Sequence, residues 1–321
     1  MTKRDAVQPA HPTTPAAHAA SAPPPLFSDP VPLDPKRSGW LRWVGPAMAL
    51  AILVVVVLQL RQLELSEIID VIPTNLLFWV VFALYYVSGP AFDWIIFRKL
   101  WGLPLSGLVA LTKKLVSNEL LFGYAGEVYF YSWARKKLKM ATSPFGAVKD
   151  VAILSAMVGN AITLLMLALT WPLFQSLNLR IKGDAWLLSI GFIIATSTII
   201  LIFSKRLFSL NRRELGFVSV LHFVRTIVST TLGGMAWAIA LPIVPLGWWV
   251  MLATVRLLIS RLPFLPNKDV VFAGVAVFLV GYDAEIGALM ALWASLILLT
   301  HLVVGTVLAT GDLLAVRTEN T

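Results

Sequence analysis

The chain has 321 residues, of which 58% are hydrophobic and 13% charged, and its mean hydropathy of +0.80 is far above that of an ordinary soluble domain. This is the composition of an integral membrane protein. The net charge of +9 does not point to nucleic acid, because the bases cluster in short gaps between long apolar runs, and the absence of Cys excludes disulfides, thiolate-bound metals and cysteine nucleophiles.

Residues 1 to 37 hold nine Pro and seven Ala, too little apolar surface to offset the entropy of ordering them. Residues 1–39 are therefore expected to form a disordered cytoplasmic tail, with protein recruitment as one use for it. No apolar core follows the charged Thr2 to Asp5 stretch, so no cleavable leader is expected, and the first apolar segment reads as a retained anchor.

A helix needs about 20 residues to cross about 30 Å of hydrocarbon. Six uncharged stretches approach or exceed that length: Trp43 to Leu60, Val71 to Phe92, Val151 to Leu179, Ala185 to Ser204, Thr226 to Val255 and Ile286 to Gly311. Pro242 and Pro245 must break the fifth, whose spanning helix is placed at about Phe217 to Leu241. Two further apolar regions are interrupted too often to span. Ser106 to Ala134 carries Lys113, Lys114, Glu119 and Glu127, and Trp248 to Tyr282 carries Arg256, Arg261, Lys268 and Asp269 around a Pro263-x-x-Pro266 turn. Each reads as a re-entrant helical hairpin that enters and leaves the membrane on one side, with its irregular backbone covered by protein or water. The basic loops, including nine Lys and Arg between Arg98 and Lys149, are expected in the cytoplasm. That places both termini there, in a multi-pass protein of the cell inner membrane.

The order span, span, hairpin, span then recurs. The starts repeat at a step of 142 residues for Trp43 and Ala185, 142 for Asn75 and Phe217, and 139 for Ala147 and Ile286. Three spans separate corresponding starts, so the second copy is inverted. The expected fold is an all-α polytopic membrane protein of two inverted-topology repeats, residues 40–172 with a hairpin at about 106–134, and residues 184–311 with a hairpin at about 248–282. A short cytoplasmic tail, 312–321, follows. Inverted repeats with broken helices near the midplane are the architecture of secondary transporters.

The segment SNELLFGYAGEVYFYSWARKKL, residues 117–138, resembles the flippase-like integral membrane family, also described as the lysylphosphatidylglycerol synthase transmembrane region, with Asn118, Gly123, Gly126 and Glu127 in the motif positions. The second family motif, a Pro-rich turn leading to an acidic residue, looks like LPFLPNKDVVFAGVAVFLVG, with Pro263, Pro266 and Asp269. Tyr129 and Phe130 stand where the family often has Arg, and Asn267 and Lys268 where its second turn is usually glycine-rich. The resemblance covers about residues 40 to 310 and implies a lipid translocator without a synthase domain.

The candidate substrate-binding residues are Glu127, Asp269, Arg225, Arg256, Arg261, Lys268 and Asn118. A carboxylate deep in the membrane is costly unless paired or protonated, so Glu127 and Asp269 read as proton carriers or partners of a cationic group, or as helix caps. Guanidinium binds phosphate oxygens as a fork, which makes Arg225, Arg256 and Arg261, with Lys268, a phosphate-binding set; Arg225 alternatively snorkels to the interface. Lys113 and Lys114 read mainly as interfacial anchors, Asp93 as the partner of a lysine or the mark of a helix break, and His301 as a packing residue. No metal or other cofactor is expected. The function so indicated is transport of a lipid with an anionic phosphate headgroup. Rivals are a non-transporting scaffold or regulatory subunit of envelope lipid metabolism and, less favoured because the usual catalytic motifs are missing, a lipid-phosphate enzyme. A homo-oligomer is compatible with all three.

Overall fold

A computed structural model describes residues 72–121, 124–137, 145–176, 191, 195, 208–262, 267–280 and 284–319. Among these residues the secondary structure is entirely helical: α1 (Leu76–Trp101), α2 (Ser106–Leu120), α3 (Ala125–Lys137), α4 (Phe145–Ser176), α5 (Arg212–Ala240), α6 (Leu246–Ser260), α7 (Lys268–Val280) and α8 (Ala284–Glu319). Four stretches are long and apolar enough to cross a membrane, Leu76–Trp101, Phe145–Leu173, Arg212–Ala240 and Glu285–Gly311, and make this a multi-pass membrane protein. They correspond to four of the six expected spans. The other two, 43–60 and 185–204, lie outside the described residues, as do the N-terminal tail, Gly123, Pro263 and Pro266.

Local chemistry sets the helix ends. Asn75 caps α1, its side chain accepting the Leu77 N–H at 2.9 Å, and Gly102 closes that helix in the left-handed region at φ 66° with its N–H on the Arg98 carbonyl. At the start of α5, Asn211 and Glu214 form a reciprocal capping box with both hydrogen bonds at 3.0 Å. The fully buried Asp150 of α4 fixes the chain entering α5 by accepting the Ser209 and Leu210 N–H groups at 2.6 and 2.8 Å. Pro242 and Pro245 occupy the break between α5 and α6. Charges do not delimit the helices as the uncharged-stretch ruler assumes: α1 runs on through Asp93 to Trp101, α5 includes Arg225, and α8 continues to Glu319.

α1 and α5 lie side by side and antiparallel, since Gly233 of α5 sits beside Tyr85 of α1 while Arg225, two turns earlier, reaches Asp93, two turns later. α2 packs on α3, α1 and α8; α6 packs on α7, α5 and α4. One apolar cluster, built on Phe78, Phe82, Trp237, Trp249, Phe272 and Trp293, joins the start of α1 to the end of α5. A second, around Phe97, Leu103, Phe130, Val151 and Val218, joins the other ends of the same two helices. Burying aromatic rings of this size supplies most of the packing contact. The polar residues of α1 and α5 are left between the two clusters.

Candidate functional site

Between these clusters lies a cavity of about 340 Å³, walled by α1, α2, the start of α3, α4, α5, α6 and the start of α7. All seven residues singled out from the sequence, Asn118, Glu127, Arg225, Arg256, Arg261, Lys268 and Asp269, line it. Residues about 150 positions apart in the chain thus share one chamber.

Its charges fall into two networks. In the first, Asp93 on α1 holds two cations at once, accepting from Lys114 Nζ and Arg225 Nη1, each at 2.8 Å. Arg225 also donates to Ser155 Oγ at 2.7 Å, and Lys114 lies 3.4 Å from Glu127 Oε1. In the second, Arg256 grips Asp269 as a fork, Nε to Oδ1 at 2.7 Å and Nη2 to Oδ2 at 3.2 Å, donates to the Tyr85 hydroxyl, and lies over the Tyr85 ring. A charge removed from water must be paired or hydrogen-bonded, and Lys114, Arg225 and Arg256 meet that requirement with carboxylates.

Arg261 and Lys268 meet it with neutral acceptors. Among the described residues neither forms a salt bridge; Arg261 donates from Nε and Nη2 to Ser260 Oγ at 3.0 and 2.8 Å, and Lys268 donates to the Ser260 carbonyl at 3.1 Å. The guanidinium of Arg261 occupies the space where a Cβ on Gly159 of α4 would stand. Opposite in sign, Glu127 Oε2 is buried without a hydrogen-bond partner. The cavity therefore offers two cations and one carboxylate oxygen to a ligand.

The two short helical pairs are tied together at their turns. Asn118 Oδ1 accepts the Gly126 N–H at 2.7 Å at the start of α3. Its neighbour Glu119 receives the second pair, its carbonyl accepting the Asn267 N–H at 2.9 Å. Tyr124 and Asn267, one residue before α3 and α7, both sit in the left-handed region, at φ 75° and 49°. The last turn of α2 thus caps both helices whose N-termini face the cavity. A Cβ on Gly126 would overlap the Lys114 carbonyl oxygen and crowd Asn118 Oδ1, so Gly126→Ala is expected to force α2 and α3 apart and destabilise the protein by about 1–3 kcal/mol, measured by thermal unfolding in detergent. An unchanged Tm would show that the pair has room to give.

Several expectations need correction. Lys114 is no interfacial anchor but a half-buried bridge between Asp93 and Glu127, and Lys113 is fully buried, over the Tyr129 ring. Arg225 does not snorkel; it turns inward to Asp93 and Ser155. Asp93 does pair with a lysine, one of the two expectations for it, and binds Arg225 as well. His222 lines the cavity with Nε2 on the Val151 carbonyl at 3.1 Å, while His301 packs elsewhere, its Nδ1 3.0 Å from the Tyr86 hydroxyl. Glu119, Ser155 and Ser260 escaped sequence reasoning, although an ionisable Glu119 next to Asn118 in an apolar segment was a usable signal. Among the described residues no group of His, Asp and Glu is arranged to hold a metal. No protein-family profile matches the chain, and neither a curated protein nor a solved structure matches it.

Proposed function

We propose that the protein is a transporter that moves a lipid with an anionic phosphate headgroup across the cell inner membrane. The observation that carries this reading is a pair of half-buried cations, Arg261 and Lys268, that face a polar cavity and form no salt bridge among the described residues. Phosphate oxygens entering there would replace their water shell with a guanidinium fork, an ammonium and the N-termini of α3 and α7. A hydroxyl or ammonium of the same headgroup would satisfy Glu127 Oε2. The acyl chains would remain in the lipid against outward-facing apolar residues such as Leu84 and Val87 of α1 and Val220 and Phe223 of α5.

The transporter reading includes two inverted repeats, α1 to α4 and α5 to α8 within the described residues, with α2–α3 and α6–α7 as re-entrant hairpins. Three observations favour it. The hairpin helices have 13 or 15 residues, about 20 Å each and short of a full crossing. The equivalent helices α1 and α5 run antiparallel, and α2 packs on α8 as α6 packs on α4. This topology puts Ile243 outside and Lys137 in the cytoplasm, both at exposed positions. In the naturally Cys-free chain, Ile243→Cys is expected to react with an impermeant maleimide from outside and Lys137→Cys only after the membrane is opened. Labelling of both from one side would contradict the inversion.

Binding is tested with a photoreactive anionic phospholipid. Crosslinks mapping to Ala152 or Ala156 in the cavity wall, and competed by unlabelled lipid, are expected; crosslinks confined to the outer helix faces would count against the site.

A further inference from the structure

The lining of the cavity can be counted as charges. With every carboxylate ionised it holds five cations, Lys114, Arg225, Arg256, Arg261 and Lys268, and four anions, Asp93, Glu119, Glu127 and Asp269, leaving an excess of one positive charge. The four carboxylates are not equivalent. Among the described residues Asp269 forms its salt bridge with Arg256 alone, and Glu119 forms none. Asp93 alone stands 2.8 Å from two cations, in the position that two oxygens of a second anionic group would otherwise take.

We infer that the cavity selects a ligand with one negative charge, a phosphodiester, over a doubly charged phosphomonoester, and that Asp93 is the specificity-determining residue that sets this number. The inference deepens the proposed function and rests on its reading of the cavity as an anion site. In a half-buried chamber, each unmatched charge is costly. A diester brings one charge for Arg261 and Lys268 to neutralise. A monoester, which carries about −1.5 to −2 at neutral pH, would bring a surplus into a site where Asp93 already occupies Lys114 and Arg225. Replacing Asp93 by its neutral isostere Asn keeps hydrogen-bond acceptance but raises the excess to two, which matches the monoester.

The test measures binding of short-chain phosphatidylglycerol and short-chain phosphatidic acid to detergent-purified protein at pH 8.5, by calorimetry. Wild type is expected to favour phosphatidylglycerol, and Asp93→Asn to shift the ratio toward phosphatidic acid by about tenfold or more, the scale of a hydrogen bond to a charged group. Should Asp93→Asn not fold, Lys268→Gln carries the same test: it removes the excess charge, and a preference for phosphatidylglycerol over zwitterionic phosphatidylethanolamine is expected to fall by about tenfold. An unchanged ratio in a folded variant overturns the inference while leaving lipid binding intact. Soluble glycerophosphoglycerol separates a lipid from a free phosphodiester: binding as tight as the lipid's, with the charge preference kept, upholds the charge rule and overturns the lipid reading. Binding of none of these ligands overturns both.

Discussion

In proteoliposomes, Arg261→Gln is expected to slow headgroup movement of an anionic phospholipid by about a hundredfold, corresponding to the loss of a charged hydrogen-bonding pair of about 3 kcal/mol. The glutamine amide ends where the arginine Nε stands and can donate to Ser260 from there, so what is removed is the charged end of the side chain. The same substitution is expected to leave the Tm unchanged or raise it, because a half-buried guanidinium without a carboxylate costs stability in the empty protein. This pairing of lost transport with preserved or improved folding separates a ligand site from a structural ion pair. Gly159→Ala approaches the same side chain from the other direction: the new methyl group would displace the guanidinium without touching its charge, and a smaller loss of transport is expected.

The second large effect lies in the first charge network. Asp93→Leu is expected to destabilise the protein by about 3–5 kcal/mol, the cost of leaving a buried charge without its partner, read from unfolding in detergent. Lys114 would keep only Glu127, at 3.4 Å, and Arg225 would keep only the Ser155 hydroxyl. Leu at positions 93, 114 and 225 together is expected to recover most of that loss, since no uncompensated charge then remains at these three positions. Should the triple variant be as unstable as Asp93→Leu alone, the network would not be the source of the destabilisation.

The sequence carried the site further than it carried the boundaries of the helices. Glu127, Arg225, Arg256, Arg261, Lys268 and Asp269 were identifiable because an ionisable group in an apolar segment is costly and therefore has a reason to be there. The same logic covers Asp93 and Lys114, and Glu119 fits it too although it was not singled out. It failed at Lys114 because a lysine near the end of an uncharged stretch looks like an anchor until its partner is known. That partner, Asp93, is 21 residues away in the chain and belongs to another helix. The uncharged-stretch ruler cut α1 short at Phe92 for a related reason: paired charges can sit inside a spanning helix, so they do not mark where it stops. That the two charge-interrupted segments form short helices rather than full spans was legible from length and charge placement. What binds them together, the Asn118 and Glu119 caps on α3 and α7, depends on backbone groups that no residue pattern reveals.

Glycine at 126 and at 159 illustrates the same limit. From the sequence each reads only as a small residue that permits close helix approach. In the fold the first leaves room for the Lys114 carbonyl and the second for the Arg261 guanidinium, so one shapes the α2–α3 pair and the other the cavity wall.

The most direct test of the central claim is headgroup translocation by the wild-type protein reconstituted into liposomes, with fluorescent phosphatidylglycerol quenched from outside by an impermeant reductant. Protein-dependent movement well above that of empty liposomes, and abolished by Arg261→Gln, is the expected result. Correctly inserted, folded protein that moves neither phosphatidylglycerol nor any other phosphate-bearing lipid of a panel would contradict it.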